Sequence, residues 1–507
     1  MTTNGVLLDL VAHGAQDIFL IGNPQLTYFK SVYKRHTNFA MGTIIAPIDG
    51  AFNFGNRVSV TVPRSGDLMH SVILEIDLPA ISSIPTAPTG EDPNDYVNGQ
   101  GVIQWINNIG HGLIQRIELK IGEQIIDTQY GEWMEIWSQL SQDEGEKRGM
   151  DAMLLRSPYS NDGPSSLNLT GPLTARIPFQ FWFCRNIGLS LPLVALQYHD
   201  VVFDIYFNPL NMLYTNGPYD YYTASGTSGA SVLNVVKLSG QPSRDLNLSD
   251  NGKIIVITSN NTTYFIDPLL PITGTGTSID PFVVPLATPL TASYTSTEIY
   301  IKPNGVLSGT PVMTDARMFI DMVYLDTFEL REFAQQNHKY LIEQVQYRSP
   351  DSITGQTNNI KFPIKFNLAM KELFWVLQLD SVSRDNDLFN YSNTVNSTSV
   401  RGDIMTDCLL QYNGIDRFPH RDGVYFRTVM PKQKHTRTPL DFFYIYAFGI
   451  SPEEFQPSGA TNFSKIDTID IIMSVASGLS NINFRCYGLS LNILRIMNGM
   501  GGVAFSN

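Results

Sequence analysis

The chain has 507 residues, 43% of them hydrophobic and 11% aromatic, but only 16% charged, with a net charge of −13. Such an acidic balance argues against nucleic acid as the main partner, because a phosphate backbone demands a positive field. Three widely spaced cysteines (Cys184, Cys408, Cys486) without a CxxC fit reduced thiols better than a disulfide framework.

The opening "MTTNGVLLDL" lacks the basic stretch of a signal peptide. The apolar run "VLLDLVAHGAQDIFLIG" is broken by Asp9, Asp17 and two glycines, so it does not read as a bilayer span. A cytosolic product is expected. Next comes "GNPQLTYFKSVYKRHTNF", which interleaves Lys30, Lys34, Arg35 and His36 with Tyr28, Phe29, Tyr33 and Phe39. Asn23 suits an N-cap and Pro24 the first helical position, and Leu26, Phe29 and Tyr33 share a helical face. The expectation is a short capped helix with those three packed inward and Lys30, Lys34 and Arg35 facing an acidic inner layer. Four possible cations in a chain of −13 make a nucleic-acid site the weaker reading.

From residue 55 onward period-two patterns dominate. In "RVSVTVPRSGDLMHSVILEIDLP", Val58, Val60 and Val62 alternate with Ser59 and Thr61, and Val72, Leu74, Ile76 and Leu78 alternate with Glu75 and Asp77. "RIELKIGEQII", "VVFDIYFN", "DFFYIYAFGI" and "GLSLNIL" repeat the pattern, so the chain reads as all-β. Helical spacing is rare. Trp133, Ile136, Trp137 and Leu140 form one stripe, and "DTFELREFAQQNHKYLIEQ" is a second candidate. Residues 214–303 are rich in Ser, Thr, Gly and Pro, too long for an ordinary connection, and read as a surface loop or an excursion with its own strands.

Motifs for chemistry are weak. His420-Arg421-Asp422 matches a kinase HRD, but the expected Asn five residues on is Arg427. Arg401-Gly402-Asp403 is an adhesion-type tripeptide of the kind that arises by chance. The eight histidines never pair at metal-ligand spacing; His199 and His435 are isolated. Asp127, Glu132 and Glu135 could suggest a glycosidase pair, against which stands the simpler reading of carboxylates on the exposed side of the Trp133–Trp137 helix. Sequons occur at Asn168, Asn247, Asn260, Asn261, Asn390, Asn396 and Asn462. No catalytic, cofactor or metal residue is assigned. A carbohydrate-binding or carbohydrate-active β-sandwich is the alternative class.

The blocks "LVAHGAQDIFLIGNPQLTYFKSVYKRHTNFAM", "NFGNRVSVTVPRSGDLMHSVILEIDLP", "QRIELKIGEQIIDTQYGEWMEIWSQLS", "PFQFWFCRNIGLSLPLVALQYHDV", "LQYNGIDRFPHRDGVYFRTVMPKQKHTRTP" and "LRIMNGMGGVAFSN" carry a resemblance. In this order they resemble the major capsid proteins of nucleocytoplasmic large DNA viruses, the C-terminal half being similar to the mimivirus-like branch. The resemblance implies two tandem eight-stranded jelly rolls with a few short helices and long surface loops. It implies an arm over 1–44 on the inner side, a first jelly roll over 45–332 whose 214–303 loop forms an outer tower, and a second over 333–507. Three chains would form a pseudo-hexagonal capsomer in an icosahedral shell. Expected partners are neighbouring capsomers, minor capsid and penton proteins and, through the arm, an inner viral membrane, with no direct nucleic acid. Assembly would take place in the host cytoplasm.

Overall fold

The computed structural model describes residues 11–156, 159–160, 163–164, 170–216, 220–238, 245–258, 262–384, 386–393, 401–477, 479 and 481–505. The chain divides into two compact units, up to Phe39 and from Ala40 onward.

In the first unit Ile18–Ile21 forms a short helix. The helix expected after Asn23 is not formed. Asn23 takes a left-handed conformation (φ 51°) instead of the extended backbone an N-cap needs, and no regular structure follows up to Asn38. Leu26, Phe29 and Tyr33 are 65%, 98% and 84% exposed, so the inward packing expected of them is absent. With no apolar face buried, nothing offsets the cost of nucleating so short a helix. Lys30, Lys34 and Arg35 are exposed as well.

The second unit begins with strands whose apolar residues recur every second position. They are β1 (Phe39–Ala46), β2 (Arg57–Thr61), β3 (Leu68–Leu78), β4 (Ile114–Ile121), β5 (Gln124–Tyr130), β6 (Leu173–Pro178) and β7 (Val201–Phe207). Six more follow in the Ser/Thr/Gly-rich region: β8 (Asp220–Gly226), β9 (Val232–Lys237), β10 (Ile254–Ile257), β11 (Thr263–Phe265), β12 (Phe282–Pro285) and β13 (Tyr294–Lys302). β14 (Asp315–Leu325) returns to the first set.

The first sandwich has two layers: β1-β14-β3-β6, with the two-residue strand Leu191–Pro192 also paired to β3, and the four-stranded β2-β7-β4-β5. In β3, Val72, Leu74, Ile76 and Leu78 are buried while Glu75 and Asp77 lie outward, as the alternation requires. Arg317 of β14 crosses to both carboxylates. Neighbours distant in sequence within each layer are the mark of a jelly roll.

The second sandwich uses β15 (His338–Ile353), β16 (Ile360–Pro363), β17 (Ala369–Leu379), β18 (Met405–Tyr412), β19 (Ile415–Asp416), β20 (Tyr444–Ala447), β21 (Ile469–Val475) and β22 (Ile482–Met497). Its layers, β15-β22-β17-β20 and β16-β21-β18-β19, repeat the order of the first. The chain thus holds two tandem eight-stranded jelly rolls. Between them lies a helix over Thr327–Gln335, N-capped by Asp326. The rest of the helix-like stretch, from His338, is strand, paired along its length with Ile482–Met497, so that Ile342 and Val345 lie on opposite faces and both are buried.

The 214–303 segment is not a loop. β11-β10-β13-β8-β9-β12 form one antiparallel sheet, and the Ile266–Leu286 bridge joins its two edges. Asp267 N–H donates to Pro285 O (3.0 Å) and Ala287 N–H to Phe265 O (3.0 Å), closing a small barrel without free edges. Its interior (Tyr222, Leu233, Val235, Ile255, Phe282, Ile299 and others) is a hydrophobic core separate from that of the sandwiches. Of the two readings the sequence offered, this is the excursion with its own strands.

Because Thr223 and Glu298 are paired opposite each other, replacing Thr223–Glu298 with an Asn-Gly turn keeps Tyr222 facing Ile299. The jelly rolls of this variant are expected to fold with a Tm within about 5 °C of the parent, measured by circular dichroism. An insoluble or unfolded product would show that the barrel core supports the sandwiches.

Candidate functional site: the seam between the sandwiches

One continuous hydrophobic core runs from Ala46 in the first jelly roll to Ile496 in the second. Its centre is a helix, α1 (Gly131–Ser141), that leaves β5 directly. Trp133, Ile136, Trp137 and Leu140 are buried as their spacing predicts. The opposite side is covered too, with Glu135 fully buried and Glu132 15% exposed, which overturns the expectation that both face solvent. The reason is that α1 is covered by both sandwiches, and each acid meets a partner there.

Glu132 reaches the second sandwich. Arg485 of β22 donates from Nε to Oε2 (2.8 Å) and from Nη2 to Oε1 (2.5 Å), a two-pronged charged contact. The hydroxyls of Tyr487 (2.5 Å) and Tyr391 (3.1 Å) donate to the same carboxylate. Burial disfavours the charged guanidinium of Arg485, but Glu132 outweighs it and raises its pKa.

Glu135 stays on its own side of the seam. Asn108 Nδ2 (2.6 Å), His111 Nδ1 (2.8 Å) and Gln139 Nε2 (2.7 Å) donate to it, as does Arg156 Nη1. Burial opposes ionisation of Glu135, yet Arg156 and the His111 N–H hold it well below the usual carboxylate range. Burial keeps His111 neutral by lowering its pKa, so it serves as a hydrogen-bond donor rather than a cation. Gln139 carries the network across by donating to Asp441 Oδ2 (2.5 Å), and burial pushes Asp441 up to about 6.

The two sandwiches also meet edge to edge at β5 and β15. Val345 N–H donates to Asp127 Oδ1 (2.9 Å), and Gln344 Nε2 donates to Ile126 O. Side chains thus satisfy backbone groups that would otherwise template strand pairing. Burial raises Asp127 to about 7. Asp127, Glu132 and Glu135 are each taken up in separate contacts and present no pair around a substrate cleft.

Further ties flank this centre. Glu343 of β15 binds Arg185 of the first sandwich (2.6 Å) and Lys371 of β17. Arg185 lies 4.6 Å above the Trp137 ring. His435 sits between Glu372 (2.6 Å) and Glu453 (2.8 Å), edge-on to Trp137. Burial disfavours its charged form, but the two glutamates win and raise it to about 9. His199 Nδ1 lies 3.1 Å from Gly501 O, where the C-terminal strand Met500–Val503 meets the first sandwich.

The remaining motifs are structural. Arg401 pairs with Asp441 (3.5 Å), and Asp403 is clasped by Arg427 (2.8 and 3.0 Å), so the RGD charges are used internally. His420 contacts Asp407 (2.8 Å) and Asp422 caps Tyr425 N–H (2.9 Å). Asn247 and Asn462 cap short turns, and Asn390 is buried against Ser392 and Arg401. Asn168, Asn260, Asn261 and Asn396 lie outside the described residues. Among the described residues no group of three or more His, Cys, Asp or Glu is placed to hold a metal.

A family model described as the major capsid protein N-terminus matches residues 27–236, and one described as the large eukaryotic DNA virus major capsid protein matches residues 329–502. The major capsid protein of Phaeocystis pouchetii virus is 31% identical over 99% of this chain and 100% of its own. This chain belongs to the major capsid protein family of large eukaryotic DNA viruses. Probable capsid protein 4 of Acanthamoeba polyphaga mimivirus is likewise 31% identical, over 99% of each chain. The Faustovirus major capsid protein shares the fold at a TM-score of 0.65 and 12% identity, covering 96% of this chain and 94% of that one. The structure of PBCV-1 VP54 fitted into a reconstruction of the virophage Sputnik gives 0.61 at 22%, covering 95% and 100%. As a capsid-family protein it is structural rather than enzymatic, and the seam's charges do mechanical work.

The Glu132–Arg485 contact tests that role. Arg485→Ala leaves the largely buried Glu132 carboxylate without its cation and should cost about 3 kcal/mol in a denaturant titration. Combining Arg485→Met with Glu132→Gln removes both charges and should regain at least half of that loss. A double variant no more stable than the single would contradict the account.

Proposed function

We propose that the chain is the shell-building subunit of a virion, assembling with itself into homotrimeric, pseudo-hexagonal capsomers that tile an icosahedral capsid. The observation that carries this is the fusion of two jelly rolls with the same strand order into one block. Three such chains present six equivalent wedges, so a threefold ring closes with nearly hexagonal outline. Neighbouring capsomers then meet along their sides. The barrel of β8–β13 supplies the outward tower. The division of labour remains an arm over 1–44, a first roll to 332 and a second from 333. Assembly takes place in the host cytoplasm.

The arm points to the inner partners. It exposes Lys30, Lys34 and Arg35 beside Leu26, Phe29 and Tyr33, a basic and apolar mixture suited to anionic lipid headgroups or to acidic minor capsid and penton proteins. Segments of this kind order themselves when they bind.

Light scattering of the purified protein should give about 170 kDa, three copies of the 56.6 kDa chain. Reversing charge at Lys30, Lys34 and Arg35 together should leave that mass unchanged while abolishing sedimentation with anionic vesicles. A monomeric mass would sink the capsomer reading. Loss of the trimer on charge reversal would sink the arm's assignment alone.

A further inference from the structure

Arg437 stands at the seam without an ion-pair partner among the described residues. Its main-chain N–H donates to Leu140 O (3.0 Å) and its Nε to Gln139 O (2.9 Å), capping the last turn of α1 from the second sandwich. Among the described residues no carboxylate lies within ion-pair distance of it, whereas its neighbours are matched. Glu135 is held by Arg156, Asp151 by Arg156 and Lys147, and Asp441 by Arg401. Lys147 also meets Glu144 (3.9 Å), so Arg437 alone of these four cations has no ion-pair partner among the described residues.

Two guanidinium nitrogens there are buried and, among the described residues, unpartnered: Arg437 Nη1 and Arg156 Nη2. The Arg156 side chain is only 9% exposed. Both arginines line one cavity of about 30 Å³, with Asn108, Gln139, Lys147 and the ion-paired carboxylates of Glu135, Asp151 and Asp441 on its walls. Burial and the neighbouring Arg156 both disfavour the charge on Arg437, lowering its pKa. The three carboxylates on the walls are taken up by Arg156, Lys147 and Arg401, so the two unused guanidinium N–H groups call for an acceptor inside the cavity. Asn108 Oδ1 is a buried acceptor without a partner on the same wall. Its orientation is fixed, because Asn108 Nδ2 must face Glu135. A donor is therefore also required, and 30 Å³ suffices for about two water-sized bodies.

We propose that this cavity binds a small inorganic anion of chloride size between Arg156 Nη2 and Arg437 Nη1, accompanied by one water that donates to Asn108 Oδ1. The anion latches the end of the Glu144–Leu154 helix of the first sandwich to the second. Anion concentration thereby sets how firmly the two jelly rolls are joined.

Thermal unfolding of the full chain in sodium chloride and in sodium gluconate at matched ionic strength reads this out, gluconate being several times too large for the cavity. The expected result is a saturating rise in Tm of roughly 2 °C in chloride, lost in Arg437→Gln. Crystals soaked in sodium bromide should show an anomalous peak between the two guanidinium groups. Equal Tm in the two salts, an undiminished rise in the variant, or no bromide peak would each overturn the proposal in favour of water alone. Should Arg437→Gln fail to fold, the bromide peak in the unmodified chain decides.

Discussion

The structure depends on burying the two acids of α1. A helix enclosed by two sandwiches gains hydrophobic stabilisation from Trp133, Ile136, Trp137 and Leu140. The same enclosure strips water from Glu132 and Glu135, a cost tolerable only where opposite charge and hydrogen bonds replace it. For Glu132 the replacement comes from Arg485, Tyr487 and Tyr391 in the other jelly roll. Neither sandwich can leave without abandoning a charge in an apolar site. Hydrophobic burial alone would hold the rolls together loosely and in several registers. The charged contacts admit one register, which a lattice-building block needs.

The same logic orders the periphery of the seam. Edge strands β5 and β15 face each other but do not pair through their backbones. Asp127 and Gln344 reach across instead, which fixes a distance and prevents one sheet from growing into the next. Gly499 and Gly501 let the C-terminal strand approach Tyr198 and Leu196 of the first sandwich closely, where a Cβ would collide. The small barrel stands apart from this economy. Its core is its own and its edges are closed, so it can vary without disturbing the block beneath.

Much of the fold was legible because alternation is a local signal. β3, β4 and β7 announce themselves in Val72–Leu78, Ile117–Ile121 and Val201–Phe207, and the α1 stripe in its two tryptophans. What was not legible depends on partners far away in sequence. Glu132 and Glu135 look like solvent-facing residues until Arg485 and Arg156 are placed beside them. A hint was present: "GEWMEIWSQLS" contains no Lys or Arg, whereas an exposed helical face ordinarily mixes both signs. The arm fails in the opposite sense. Asn23-Pro24 and the Leu26–Phe29–Tyr33 face satisfy local rules for a helix, but no surface of its own unit receives that face.

The central claim is that the two jelly rolls form one cooperative block through the seam. Hydrogen exchange followed by mass spectrometry at rising denaturant tests it most directly. The account predicts that peptides covering Leu68–Leu78, Gly131–Ser141, Ala369–Leu379 and Ile482–Met497 lose protection together, in a single concerted step. Loss of protection in Ala369–Leu379 and Ile482–Met497 well before Leu68–Leu78 would contradict it, showing two sandwiches that merely lie side by side.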